Sequence, residues 1–202
     1  MKIEEAVEPG RRARKKAQTR RTIYEAATGL FLARGYEAVT VDDVCRAADV
    51  AKGTFFLHFP TKDALLAEYG RLATEELEPL LATQRGASVA TLRNVLRALA
   101  GRAERHSELV RLTVRETMAR PAAMAQSTAQ GRTLGELLLA IVRRGQAAGE
   151  LRRSVVPEVA AAVLVGAYFA LVNAWATGEQ PFDLTEAVDH ALKIVLQGLR
   201  KD

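Results

Sequence analysis

The stretch from Thr40 to Leu65, TVDDVCRAADVAKGTFFLHFPTKDAL, is punctuated so often that only short helices fit in it. Thr40 is an N-cap residue: its hydroxyl accepts the amide of Asp43 while the Asp43 carboxylate reaches back, so a helix starts at Val41. Val44, Ala47 and Ala48 give that helix a small apolar face. Asp49 tolerates a left-handed backbone and turns the chain. A second helix follows from about Ala51 to His58, with Gly53 leaving one side bare. Pro60 ends it, because the residue before a proline is pushed out of helical geometry. Thr61 caps the next helix, whose first turn carries Lys62.

Two short helices at a steep angle across a tight turn make a helix-turn-helix, whose second helix enters the DNA major groove. On this reading Lys52, Thr54 and His58 face outward, and Phe55 and Phe59 lock the helix to its domain. The alternative for His58 is a packed spacer between aromatic residues. Lys62, beside Thr61 at a helix N-terminus, is positioned for phosphate.

The same residues carry a family likeness. Thr40-Val41, Val44-Cys45, Ala47-Ala48, Val50, Lys52-Gly53-Thr54-Phe55-Phe56, His58-Phe59, Lys62 and Leu65 resemble the DNA-binding signature of the TetR (tetracycline-repressor) family of bacterial regulators. The resemblance implies DNA contacts from Thr40, Val41, Ala51, Lys52, Gly53, Thr54, Phe56, His58, Thr61 and Lys62. The sequence departs from the family pattern at three places. Asp49 stands where Gly is usual, Ala51 near a usual Ser or Thr, and Phe56 where Tyr is usual. Family members use the tyrosine and serine hydroxyls on phosphate. Phe56 is therefore expected against sugar or a thymine methyl.

Charge agrees with a polyanion partner. The 202 residues carry a formal net charge of +5, and Arg11, Arg12, Arg14, Lys15, Lys16, Arg20 and Arg21 crowd together ahead of the helix-turn-helix. A basic arm there, Arg14 and Lys15 included, lies along phosphates or enters the minor groove; a disordered solubilising tail is the alternative for its outermost residues. A single cysteine, Cys45, agrees with a reducing compartment and reads as a small buried residue rather than a redox sensor. The beginning, MKIEEAVEPG, lacks the apolar core of a signal peptide, and no stretch is expected to approach a membrane span. A cytoplasmic location without membrane contact follows. The three histidines, 58, 106 and 190, lack metal-ligand spacing, so neither metal nor cofactor is expected. Nothing resembles a nucleophile elbow, a phosphate loop or paired catalytic carboxylates, and an enzyme is not expected.

The remaining chain reads as helices. One runs from about Lys15 to Arg34 with Ile23, Ala27, Leu30 and Phe31 on one face, closed by Gly35 with Tyr36 packing back. Others are expected at Thr61 to Thr83, from Ser88, from Ser107 to Arg120-Pro121, and from Ala122 to Ala148 with Gly149 as its cap. Pro157 and Glu158 open a helix that is apolar all round from Val159 to Val172, and Asp183 to Glu186 start the last one. A helix with no polar face must be covered on both sides. Val163, Gly166, Ala167 and Ala170, with Ala187, His190, Ala191 and Ile194 from the last helix, are the expected dimer interface, packed as a four-helix bundle. Gly149 to Arg152 leading to Pro157, and Gly178 to Leu184, also look like C-terminal segments of the same family.

The resemblance further implies a small-molecule pocket among the helices from 61 to 177. Glu116 shares an apolar helix face with Leu109, Leu112 and Thr113, where an acid suits a cationic or hydrogen-bonding ligand. The alternative is a Glu116 to Arg120 ion pair one turn apart. Tyr69, Thr113, Tyr168, Asn173 and Trp175 complete the ligand-binding candidates, although Trp and Tyr at helical spacing also suit a plain core, and Asn173 also suits register-setting at a dimer seam.

The fold class is thus all-α: an N-terminal three-helix helix-turn-helix domain followed by an antiparallel helical ligand-binding and dimerisation domain. Residues 1–14 form a disordered basic arm, 15–60 the DNA-binding domain and 61–202 the effector-binding and dimerisation domain. The function implied is a homodimeric transcriptional regulator, a repressor on palindromic double-stranded DNA released by an unknown small-molecule effector. The alternatives are a DNA-binding dimer without effector and, from another class, a helical ligand carrier or enzyme.

Overall fold

The computed structural model describes residues 10–77, 87–119, 133–178 and 182–199. Every regular element among them longer than a single bridge is a helix, and the chain divides between Leu65 and Leu66 into two compact units. The all-α class is met.

The first unit holds α1 (Arg11–Arg34), α2 (Val41–Ala47), α3 (Lys52–His58) and the first residues of α4 (Ala64–Glu75). Its core is Ile23, Ala27 and Phe31 of α1 with Tyr36, Val39, Val44, Phe55 and Phe59, each at most 1% exposed. Burying the side chains larger than Ala27 stabilises the unit by about 1.5–3 kcal/mol apiece. Gly35 closes α1 at φ 81°, a backbone setting that favours glycine, and Tyr36 packs its ring 4.8 Å from that of Phe31. The helix begins at Arg11, not Lys15, so Arg11, Arg12 and Arg14 belong to α1 and not to a disordered arm; residues 1–9 lie outside the described residues. Arg, Lys, Ala and Gln all favour helix, and nothing after Gly10 interrupts them.

The second unit contains the rest of α4, α5 (Ser88–Arg105), α6 (Ser107–Ala119), α7 (Leu134–Ala147), α8 (Pro157–Thr177) and α9 (Leu184–Leu199). Its core is built from Leu92, Val95 and Leu99 of α5, Val110 of α6, Leu137, Leu138 and Ile141 of α7, Leu164, Tyr168 and Val172 of α8, and Leu184, Val188 and Leu192 of α9. Pro157 sits in the first turn of α8 as its fixed φ predicts. The Asp183 carboxylate accepts the Glu186 amide at 2.7 Å, and Glu104 reaches from α5 to accept the amide of Leu184 at 2.9 Å and the hydroxyl of Thr185 at 2.9 Å. The start of α9 is therefore capped by its own residue and by a carboxylate 80 positions earlier.

Three expectations change. The helix expected from Thr61 begins at Ala64, because Thr61 Oγ1 accepts the Ala64 amide at 3.2 Å; it ends at Glu75, and residues 78–86 lie outside the described residues. The helix expected from Ala122 begins at Leu134. Thr133 is extended and forms a capping box with Glu136, which sets a helix start; residues 120–132 lie outside the described residues. The third concerns membranes: Pro157–Thr177 is 21 residues long with a mean hydropathy of 1.9, enough by length and composition to cross one. Only 33% of its apolar window is buried inside the protein. That burial forms a single stripe, Ala160, Ala161, Leu164, Tyr168, Val172, Trp175 and Ala176, turned into the second unit's core.

Candidate nucleic-acid interface

Residues 40–65 build a rigid surface from local rules. The Thr40 hydroxyl accepts the Asp43 amide at 3.1 Å and the Asp43 carboxylate accepts the Thr40 amide at 3.0 Å, a full capping box at the start of α2. The Thr40 hydroxyl, then its amide, hold the Asp43 carboxyl well below its ordinary value, at about 2. Asp49 takes a left-handed φ of 51°, and the Val50 amide returns to the Cys45 carbonyl at 3.0 Å, closing α2 and turning the chain into α3. Cys45 is buried, which pushes its thiol up; the neighbouring Asp42 adds to this.

Helix α3 is fixed from behind. Phe55 and Phe59 are fully buried with ring centroids 6.0 Å apart. Arg20 of α1 lays its guanidinium 4.3 Å over the Phe59 ring and donates to the His58 carbonyl. On the opposite side Ala51, Lys52, Gly53, Phe56 and Leu57 are exposed and Thr54 is half-buried. Lys52 pairs with Asp42 at 2.9 Å, and the carboxylate's hydrogen bond and charge raise the ammonium's pKa. Thr40 and Thr61 are exposed, Val41 is half-buried, and Arg14 and Lys15 lie on the exposed N-terminal part of α1.

Two expected DNA contacts are otherwise engaged. His58 is only 5% exposed and faces inward, so the packed-spacer alternative describes it and a groove-facing role does not. At about 100° per residue, position 58 lies about 60° from Phe55 around the helix, on the buried side. Lys62 donates to the carbonyls of Tyr36 at 3.0 Å and Val39 at 3.1 Å and stands 4.1 Å over the Tyr36 ring. With two of its three N–H donors on backbone and its ammonium over the Tyr36 ring, it holds the turn after α1. Ala47, expected in the apolar face of α2, is exposed.

Leu57 was passed over in the sequence, yet it is 73% exposed, beside Phe56 at 47%. The signal was angular: position 57 is about 200° from Phe55 and from Phe59, opposite the buried side.

In the second unit the ligand candidates fall into separate environments. Tyr168 is buried, and burial, then the nearby Tyr69, push its hydroxyl above the usual tyrosine range. Tyr69 is raised chiefly by burial, and the Arg102 guanidinium lies 4.9 Å over its ring. Trp175 is 9% exposed, with Arg111 5.2 Å over its ring and donating to the Ala176 carbonyl at 3.0 Å. Thr113 spends its hydroxyl on the Leu109 carbonyl at 2.8 Å, and Asn173 is half-buried. Glu116 is 8% exposed and accepts from Arg115 Nε at 3.3 Å; its alternative partner Arg120 lies outside the described residues. Arg102, not noticed in the sequence, is held by both oxygens of Glu76 at 2.8 and 2.7 Å. An apolar cavity of ≈ 10 Å³, lined in part by Leu96, Leu164, Tyr168 and Leu192, has room for about one water.

The dimer candidates lie on the side of α8 and α9 turned away from the core. Val163 and Ile194 are 49% and 71% exposed; Gly166, Ala170 and His190 are exposed, and Ala167, Ala187 and Ala191 half-buried. Phe169 at 55% and Val159 at 56% extend this apolar face.

Comparison with known proteins gives a consistent picture. Residues 23–69 match the model for bacterial regulatory proteins of the tetR family, and residues 89–190, half of the chain, match the tetracyclin repressor-like C-terminal domain. A relative in Mycobacterium tuberculosis, MftR, assigned to the transcriptional regulation of mycofactocin biosynthesis, is 30% identical over 192 residues, covering 92% of this chain and 93% of that one. The HTH-type transcriptional regulator TcmR of Streptomyces glaucescens is 46% identical over 55 residues, which span 27% of this chain and only 24% of its own length. Among solved structures, Thermus thermophilus FadR, a TetR-family transcriptional repressor in complex with lauroyl-CoA, superposes with a TM-score of 0.73 at 30% identity, covering 91% of this chain and 96% of that one.

Proposed function

The chain belongs to the TetR family of bacterial transcriptional regulators, and from that premise we propose that it is a homodimeric repressor released from a palindromic operator by a small molecule. One observation carries this reading: α3 turns Lys52, Phe56 and Leu57 to solvent while buried Phe55 and Phe59 hold it from behind. A dimer of such units presents two α3 helices to successive major grooves, about 34 Å apart or somewhat more. The exposed N-terminal part of α1, with Arg14 and Lys15, attracts the phosphates. The apolar outer faces of α8 and α9 are covered by their copies. The unit through Leu65 reads DNA and the following one takes the effector and the second subunit. A regulator of this kind works at the bacterial chromosome, in the cytoplasm.

Induction is a population shift: a ligand that binds better to a dimer state whose heads do not fit the half-sites draws the protein off DNA. The cavity of ≈ 10 Å³, lined also by Ala167 and Ala191 of the proposed dimer face, is too small for such a ligand, so effector binding requires helices of the second unit to part. Lauroyl-CoA, the compound bound to the Thermus thermophilus repressor, is the first effector to try.

A gel shift against the DNA flanking the chain's own coding region, at two salt concentrations, tests the proposal. A sequence-selective shift weakened by salt is expected. Its absence overturns the proposal in favour of a carrier or enzyme, and a shift that no ligand relieves favours a dimer without effector.

A further inference from the structure

The outward side of α3 offers only Lys52 and the half-buried Thr54 to hydrogen-bond a base edge. The helix, KGTFFLH, contains no Arg, Asn, Gln, Asp or Glu. His58 is buried, Thr54 half-buried, and Lys52 is paired with Asp42 at 2.9 Å. What α3 does expose is Leu57 and Phe56 side by side, 73% and 47% accessible. Gly53, one turn back, has no described atom within 4 Å of where its Cβ would stand, so that side of the helix is bare among the described residues. The ring of Phe56 meets that of buried Phe55 edge-on at 5.3 Å, which gives the exposed ring a fixed seat. An apolar pair turned to water in this way suits a partner with apolar features. The exposed arginines and lysines of α1 in the same unit, Arg11, Arg12, Lys15 and Lys16, select a polyanion.

In the major groove the apolar feature of a base edge is the C5 methyl group of thymine. Resting on the DNA-binding reading above, we infer that α3 selects its half-site by thymine methyl groups packed against Leu57 and Phe56, not by hydrogen bonds to base edges. The pairing of Lys52 with Asp42 fits this division. Charge attracts the backbone, and the apolar pair discriminates among sequences.

The test uses the full-length protein and a duplex from its own flanking DNA, made once with thymine and once with deoxyuridine throughout. Uracil removes every C5 methyl and keeps base pairing. The native protein should lose about fourfold in affinity per contacted methyl on the uracil duplex. Leu57→Ala, whose truncation leaves the core untouched, should bind the thymine duplex more weakly and narrow the difference between the two duplexes, and the Leu57→Ala/Phe56→Ala double variant should bind both nearly alike. Phe56→Ala should narrow the difference in the same direction. Equal binding of both duplexes by the native protein overturns the inference while the DNA-binding reading stands. Full methyl preference retained in both variants also overturns it, and no sequence-selective binding to the thymine duplex overturns both readings.

Discussion

Arg20 donates to the main-chain carbonyl of His58, so the middle of α1 is tied to the last residue of α3. The same guanidinium covers the Phe59 ring at 4.3 Å, and one side chain thus holds both the end of α3 and the aromatic plug behind it. Arg20→Ala should cost about 2 kcal/mol, the range for a hydrogen bond from a charged donor, read as a lower urea midpoint for the DNA-reading unit. Operator affinity should fall with it. An unchanged midpoint in urea would mean that the contact does not hold α3.

The capping box at Thr40 makes a prediction in pH. Asp43 has its carboxyl depressed to about 2 in the folded chain, below its ordinary 3.8, so it binds a proton less readily folded than unfolded. Its contribution is therefore whole above about pH 4 and is lost as pH falls through that value toward about 2. Thr40→Ala should cost about 1 kcal/mol at pH 7. It should also move acid loss of helicity, followed by circular dichroism, to higher pH, because the largest cause of the depression is the Thr40 hydroxyl.

What could be read in the sequence was local chemistry. Thr40 with Asp43, Asp49 at its positive φ, Gly35 followed by Tyr36, and Pro157 each declare a helix end through their own side chain and backbone. Position around a helix was less legible. His58 and Leu57 are neighbours in sequence, yet the turn of about 100° between them carries one to the buried side of α3, 5% exposed, and leaves the other at 73%. Thr133 to Glu136 carried a capping signature that sets the start of α7 at Leu134, well after Ala122. The engagement of Lys62 depends on carbonyls 23 and 26 residues away, which no local pattern announces. The effector candidates were least legible, because a pocket arises from how several helices close on one another, and Thr113 turned out to bond within its own helix.

Two glycines of the second unit should respond oppositely to the same change. A Cβ at Gly145 would lie 2.8 Å from Leu151 Cδ1 and 2.9 Å from Ser88 Cβ, closer than carbons pack. Overpacking of about 1–3 kcal/mol outweighs the roughly 1 kcal/mol that alanine gains in helix propensity, so Gly145→Ala should lower the melting temperature. At Gly166 a Cβ meets nothing within 4 Å, and Gly166→Ala should stabilise the isolated subunit. Thermal melts of both variants at low protein concentration decide the point.

Ile194 is 71% exposed on the outer side of α9, far more than an isoleucine of an isolated fold gains by. Ile194→Glu should leave the subunit's helicity intact and convert a dimer to a monomer in analytical ultracentrifugation, with operator affinity falling by more than an order of magnitude as the two half-sites are no longer held together. A dimer of unchanged strength would remove α9 from the interface.

Lys62 carries a further lesson. Its ammonium completes the hydrogen bonding of Tyr36 and Val39 and sits on an aromatic ring, so its charge is turned inward to the protein's own chain. A lysine employed in this way is a signature of architecture: finding it in a new sequence identifies the three-helix unit while remaining silent about which bases that unit prefers. Motif matching that scores such a residue will therefore recognise the scaffold without reading its specificity.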